Sequence, residues 1–324
     1  MKGIIIAIFV LILIGIAIYF FWPYLNQLLK VSPIVGPTVK YENDIIKIEE
    51  LYISNTKPYA GTKFMISFSV RNKGDKKVDR VRVLIKHLGL SLVKLECEGT
   101  KPIDNNICMF NGTNAIDSLD ERKVSITLQA PSPEIIKDTP LPLSVTFNIE
   151  YDYSGYRIAN IPVIDGKTRT RPLGKFSQSN PSYGPILLEF GLAPKTETAI
   201  DKTIIREYWA VPNQPFEVTF DFKDIIGKAR NVNISKENIS VTITDPLEVS
   251  TPCNFEKKER EELEEKTTLL KPIKDVLVPE TKLMCYFVSS DITEPEITAS
   301  IKAEFNYTYK FELTETFTVQ PLPK

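Results

Sequence analysis

Histidine is nearly absent from this chain: His87 is the only one in 324 residues. A general base, a catalytic triad or an imidazole-rich metal site has almost nothing to draw on. Glycine is sparse as well, with 14 residues and no Gly-rich phosphate loop. None of the four cysteines stands in Cys-x-x-Cys spacing, which argues against a zinc site. Excess charge of either sign is also missing, since 40 basic and 41 acidic residues leave a formal net charge of −1. That balance removes the electrostatic case for nucleic acid or a polybasic membrane patch. The acidic cluster "AIDSLDE" (Asp117, Asp120, Glu121) lacks a full calcium-ligand spacing. His87 follows an apolar alternating stretch and reads as a residue packed at a strand end. The sequence offers no catalytic, cofactor-binding or metal constellation, and it reads as a non-enzyme.

What is present begins with a long apolar run. "IIIAIFVLILIGIAIYFFW", residues 4–22, contains no charge. As a helix it spans roughly 28 Å, close to the hydrocarbon thickness of a bilayer. Tyr19, Phe20, Phe21, Trp22 and Tyr24 follow at the level where amphipathic aromatics favour the headgroup boundary. A cleavable signal peptide is the competing reading, but "FFWPYLNQ" offers no small-residue cleavage site. Lys2 precedes the span and no basic residue follows until Lys30. The positive-inside rule then keeps the short tail in the cytoplasm and sends the remainder outside. The expected address is a single-pass plasma-membrane protein with extracellular C-terminal domains and the bilayer as a partner through residues 4–22.

The rest of the chain alternates. In "GTKFMISFSVRNKGDKKVDRVRVLIK", Phe64, Ile66, Phe68 and Val70 share one face, and Val81, Val83 and Ile85 share one face after the turn "NKGDKK". Period-two alternation predicts half-buried antiparallel strands, here a hairpin. The pattern returns in "PFEVTFDFKDIIGKARNVNISKENISVTIT" as Phe216, Val218, Phe220 and Phe222, then Ile239, Val241 and Ile243. Each copy continues with two cysteines and closes with a long alternating strand and a tight turn, "LSVTFNIEYDYSGYRI" and "ITASIKAEFNYTYKFEL". Val145, Phe147 and Ile149 align with Ile301, Ala303 and Phe305 as the inward sets. Four features recurring in one order predict a duplication.

The expected fold class is all-β: two tandem immunoglobulin-like β-sandwich domains preceded by one N-terminal transmembrane helix. The expected division is a transmembrane signal anchor (1–24), an extended stem (25–42), a first sandwich (43–164), a linker (165–184) and a second sandwich (185–324). A charged helical insert is expected near 255–272, where Glu259, Glu262 and Lys266 have helical spacing and Leu263, Leu269 and Leu270 give an apolar edge.

"PYAGTKFMISFSVRNKGDKKVDRVRVLIK" resembles the immunoglobulin-like CARDB-type module of archaeal and bacterial cell-surface proteins. In that family a Gly-led strand ends in Asn-x-Gly, here Asn72-Lys73-Gly74. The second copy reads "DIIGKARNVN" at this place and lacks the motif. The resemblance implies adhesion, spacing or assembly outside the cell, and structural rather than catalytic motif residues.

Cysteine spacing permits three connectivities. The simplest joins Cys97 to Cys108 and Cys253 to Cys285, one bridge per domain, with four buried thiols as the alternative. Bridges would place the domains in an oxidising space. Sequons occur at Asn111, Asn233, Asn238 and Asn306, the last expected in a hairpin turn, so these are glycosylation candidates. Lys167, Arg169, Arg171 and Lys175 in the linker are candidate contacts for an acidic surface polymer. The functional expectation is a non-catalytic structural, adhesion or interaction protein, binding protein or surface-polymer partners and open to homo-oligomerisation. The alternatives are a type IV pilin-like filament subunit, although Ile8 stands where such a leader carries Glu, and an accessory subunit of a membrane complex.

Overall fold

Alternation dominates the described residues because the chain builds strands that bury one face. The computed structural model describes residues 40–323 except 169, 201–202, 230 and 259–266. The expected anchor and nearly all of the stem lie outside the described residues. The first repeat runs through β1 (Ile46–Ile53), β2 (Lys63–Asn72), β3 (Val78–Leu88), β4 (Ser91–Cys97), β5 (Ile107–Ile116), β6 (Glu121–Gln129) and β7 (Leu141–Ile164). After β8 (Ser177–Gln178), the second repeat follows with β9 (Ile186–Leu192), β10 (Thr196–Ile200), β11 (Thr203–Glu207), β12 (Phe216–Asp224), β13 (Val232–Ile234) and β14 (Ile239–Thr244). It ends with β15 (Leu247–Cys253), β16 (Phe255–Lys258), β17 (Thr267–Pro272), β18 (Val276–Val278), β19 (Lys282–Ser289) and β20 (Glu296–Val319). Among the described residues the only helix is a 3-10 turn, Lys236–Asn238. The chain is all-β.

Two four-stranded sheets, β1-β2-β6-β4 and β15-β19-β12-β9, accompany one eight-stranded sheet, β16-β17-β14-β20-β7-β3-β5 with β8 on β7. β2 and β3 therefore belong to different sheets, as do β12 and β14, so neither expected hairpin forms. Alternation reports a buried face and not the hydrogen-bonded neighbour. Phe64, Ile66, Phe68 and Val70 meet Val81, Val83 and Ile85 across a core in which all seven are buried. The Phe68 ring contacts Phe147 edge-on at 4.9 Å between layers.

The tight turns expected after the closing strands are absent as well. β7 and β20 are each 24 residues long and pair antiparallel throughout, from Glu296 opposite Ile164 to Val319 opposite Leu141. Typical strands have about 5–6 residues, so a strand this long serves two sandwiches. The "YSGY" sequence passes straight through because Gly155 lies opposite Phe305, whose ring would stand 2.3 Å from a Cβ at that position. This glycine admits an aromatic ring instead of turning the chain.

Each repeat has the sheet order of an immunoglobulin domain, A-B-E-D facing C-F-G. In the first, β1-β2-β6-β4 faces β3 and β7, and β20 fills the G position. In the second, β9-β12-β19-β15 faces β14 and β20, and β7 fills it. The repeats thus lend one another a strand. Phe64 of β2 packs on Phe317 of β20 at 5.2 Å, and Phe222 of β12 on Phe305 at 5.2 Å. Residues Tyr41–Lys324 form one compact unit.

The pairing also corrects the internal alignment by two residues. Ile85, Val83 and Val81 lie opposite Phe147, Ile149 and Tyr151, whereas Ile243, Val241 and Ile239 lie opposite Ile301, Ala303 and Phe305. Phe147, Ile149 and Tyr151 are therefore the counterparts of Ile301, Ala303 and Phe305. The approximate two-fold relation then passes through Tyr153 and Tyr307, which pair with each other. The chain enters the unit at this midpoint: Tyr41 contacts Tyr183 at 5.5 Å, and Asn43 accepts the Gly184 N–H at 3.4 Å.

The bridges join Cys97 to Cys108 and Cys253 to Cys285, with Cα separations of 5.7 and 3.9 Å. Their places are not equivalent. Cys97 on β4 reaches across the layers to β5, whereas Cys253 and Cys285 are cross-strand neighbours in one sheet. The expected helical insert near 255–272 is described only at its two ends, and both ends are strands. Phe255–Lys258 and Thr267–Pro272 pair as antiparallel strands, with Phe255 opposite Pro272 and Lys258 opposite Leu269; Glu259, Glu262, Leu263 and Lys266 lie outside the described residues. Thr267, Thr268 and Leu270 bind in register to β14, so Leu269 and Leu270, expected on the apolar edge of a helix, lie in a strand set by its neighbours in the sheet.

Because both sandwiches depend on one ladder, they should unfold together. Gly155→Val is expected to lower stability by about 1–3 kcal/mol through overpacking against Phe305. Near-UV circular dichroism and Trp209 fluorescence should report one shared denaturant transition; two separated transitions would contradict the shared ladder.

Candidate functional site

At the two-fold midpoint the outer face of the large sheet carries a polar cleft. It is lined by Lys76, Arg80, Asp152, Asn238, Asn306 and Thr308, among others, and holds about 430 Å³. β3, β7 and β20 bring Arg80, Asp152, Asn306 and Thr308 together, because outward positions recur at every second residue of a strand, while Lys76 comes from the segment before β3 and Asn238 from the 3-10 turn. Arg80 donates from Nε and Nη2 to the two Asp152 oxygens at 2.6 and 2.7 Å. The Thr308 hydroxyl donates to Asp152 Oδ1 at 2.7 Å. Glu150 next along β7 is shared by Arg80 at 3.1 Å, Arg82 at 3.8 Å and Lys310 at 3.1 Å. The Arg80 hydrogen bonds hold the Asp152 carboxyl below the usual carboxylate range, and those to Asp152 raise the Arg80 guanidinium in turn. Asp152 is thus kept ionised as an acceptor, and it is poorly suited to donate a proton at neutral pH.

On the rim, the Lys76 ammonium lies 3.4 Å from the Ser154 carbonyl and hydroxyl oxygens, 5.5 Å over the Tyr153 ring and 5.9 Å over Tyr156. Cation–π contacts of this kind hold a charge in place while leaving it able to meet a ligand. Beneath the cleft is an aromatic seam. Tyr151 pairs with Tyr309 at 5.6 Å and Tyr153 with Tyr307 at 6.4 Å. The Tyr153 hydroxyl donates to Asp75 at 2.7 Å. A second groove of about 710 Å³ runs along the same face past Arg82, Lys86, Asn148 and Lys310 and reaches Lys228 beside β20.

The Asn-x-Gly motif has a structural task. Asn72 is fully buried, donates to the Lys76 and Ile116 carbonyls at 2.7 and 3.0 Å, and accepts the Gly74 N–H at 2.9 Å. A Cβ on Gly74 would meet Ile45 at 2.8 Å. In the second repeat Asp224 takes over: its carboxylate accepts the Ile226 and Gly227 N–H groups at 3.0 and 2.9 Å. The signal for this substitution was the short turn-forming "DIIG" at the end of the second copy's first strand.

The other sequence candidates fall in scattered places. Asn238 and Asn306 both line the cleft, whereas Asn111 and Asn233 are exposed on β5 and β13. Asn306 sits within β20 opposite Ser154 and not in a turn. Lys167, Arg171 and Lys175 are exposed, with Arg171 at 3.8 Å from Glu207, while Arg169 lies outside the described residues. His87 packs at the end of β3, its Nδ1 donating to the Leu90 carbonyl at 2.8 Å. Asp120 is held below the usual range by the Glu121 backbone N–H and then by Arg122, which donates to it at 2.6 Å. The cleft residues Arg80, Asp152 and Thr308 were not singled out in the sequence.

No protein-family model matches the chain, and no curated protein matches it. Among solved structures, BspA_C_WT aligns at 7% identity over 82% of this chain and 96% of its own, with a TM-score of 0.20. Collagen adhesin from S. aureus aligns at 8% over 87% and 89%, with a TM-score of 0.15. A membrane-anchored protein from Corynebacterium diphtheriae aligns at 11% over 86% and 93%, with a TM-score of 0.15. TM-scores this low carry no functional inference.

Burial raises the hydroxyl pKa of Tyr151, Tyr153, Tyr307 and Tyr309. The folded protein keeps these phenols neutral, whereas the unfolded chain ionises them near pH 10. Their contribution is present below about pH 10 and is lost as pH rises beyond it. Ultraviolet titration should find four of the 13 tyrosines silent until the protein unfolds. Among the described residues the Tyr151 hydroxyl has no hydrogen-bond partner, so Tyr151→Phe should flatten the alkaline limb of stability at little cost near neutrality.

Proposed function

We propose that this chain is a non-catalytic protein of the cell surface, anchored in the plasma membrane through residues 4–22, that presents two immunoglobulin-like repeats (43–164 and 185–324) as one rigid body for adhesion or assembly. The observation that carries the reading is the strand exchange between repeats, which fixes them as a stiff unit around a polar outer cleft. Both disulfides support it, because such bridges persist in oxidising compartments. The charged side chains of the cleft are engaged in mutual pairs: Asp152 with Arg80, and Glu150 with Arg80, Arg82 and Lys310. This pairing suits orientation and hydrogen bonding more than proton transfer.

In this reading the partners are proteins or a surface polymer, and not nucleic acid. The Lys76 ammonium and the Asn306 and Asn238 amides offer the cleft's contacts to hydroxyl-rich or anionic groups. The exposed basic residues Lys167, Arg171 and Lys175, with Arg169 in the same stretch, form a second contact region.

Protease added to intact cells should digest both repeats and leave an anchor fragment protected. Non-reducing peptide maps of the released material should contain Cys97–Cys108 and Cys253–Cys285. Protection of both repeats in intact cells would reject the location.

A further inference from the structure

The shared ladder leaves two free sheet edges related by the two-fold, and the protein treats them differently. Beyond the end of β3, the edge of β7 is covered. β8 pairs with Ala159 and Asn160, the Ser179 N–H donates to the Ile158 carbonyl at 2.8 Å, and Ala210 exchanges bonds with Pro162 and Ile164 at 2.8 and 3.0 Å. On β20, β14 covers only Ile301–Phe305. Residues 306–317 pair with β7 alone among the described residues.

The direction of the free groups follows from the strand's period of two. The N–H groups of Thr318 and Gln320 point to this edge, since they bond the Thr56 and Pro58 carbonyls at 3.3 and 2.8 Å. Thr308, Lys310, Glu312, Thr314 and Thr316 therefore aim their N–H and C=O groups the same way. An edge with this many groups open among the described residues accepts another strand. On the core-facing side, Lys228 stands 5.3 Å over the Phe311 ring; Lys310, Glu312 and Thr314 flank the edge on the outer side.

We propose that this edge pairs antiparallel with the same edge of a second copy of the chain. Charge selects the occupant and the register. With Phe311 opposite Phe311 of the second copy, Lys310 faces Glu312 of that copy and Glu312 faces its Lys310. A shift of two in one direction puts Glu312 against Glu312, and in the other Lys310 against Lys310, and like charges directly opposite destabilise a sheet. In the selected register Lys310, Glu312, Thr308 and Thr314 all fall in hydrogen-bonded positions, so the open groups are satisfied reciprocally, as a two-fold interface requires. The two eight-stranded sheets then continue into one another. The proposal does not depend on membrane location.

The test is sedimentation velocity of the full-length chain in detergent micelles of known mass. Wild type should be dimeric. Lys310→Glu should weaken the dimer roughly tenfold or more, because two opposite-charge pairs become like-charge pairs. The exchanged variant Lys310→Glu with Glu312→Lys should restore it. Thr314→Pro removes one edge N–H and leaves the bonds to β7, so it should abolish dimerisation with the unfolding midpoint retained. A monomeric wild type overturns the proposal. So does a dimer indifferent to both Lys310→Glu and Thr314→Pro, which would place the contact elsewhere, or a charge exchange that fails to restore association.

Discussion

The ladder between β7 and β20 is the constraint on which the molecule rests. Neither repeat owns a complete second sheet. The first takes the end of β20 against Phe64, and the second takes the end of β7 beside Ala210. Separating them would expose unpaired edges and open both cores, at a cost in unsatisfied backbone groups and apolar area. A conventional linker transmits little orientation. This seam transmits all of it, because the same backbone runs through both cores.

That continuity explains the chemistry of the outer face. A single unbroken register lets Asp152 meet a guanidinium 72 residues away and a hydroxyl 156 residues away in sequence. The buried tyrosines below supply a stiff floor, and the charged groups above brace one another across three strands. Such a face is held in shape by its own pairing. Binding there would carry little cost of ordering side chains already held in place.

Strands, buried faces and bridge partners were legible because they leave local marks. Alternation located Phe64–Val70 and Phe216–Phe222, and in-domain pairing gave both disulfides. Sheet membership left no such mark. The apolar faces of β2 and β3 look identical whether the strands are bonded neighbours or stacked across a core. Gly155 looks like a turn residue until Phe305 is seen above it. The two-residue error in aligning Val145 with Ile301 has the same origin, since alternation is unchanged by a shift of two. The cleft was illegible for a further reason: its members converge only once the register of β7 on β20 is set. The Asn72 motif was the exception, a local pattern whose structural role could be read from resemblance.

The entry point at Tyr41 has a mechanical consequence. Tyr41 and Asn43 meet Tyr183 and Gly184 beside the central tyrosine pair, while Val319 lies opposite Leu141 at the far end of the first repeat. Residues 41–43 therefore pack at the boundary between the repeats and not at an outer end of either. Tandem domains strung in file pass tension from one to the next through their linker. Here no linker intervenes, since β7 and β20 each run for 24 residues through both repeats. A force on one repeat therefore loads the same two strands that close the other, and both cores share it.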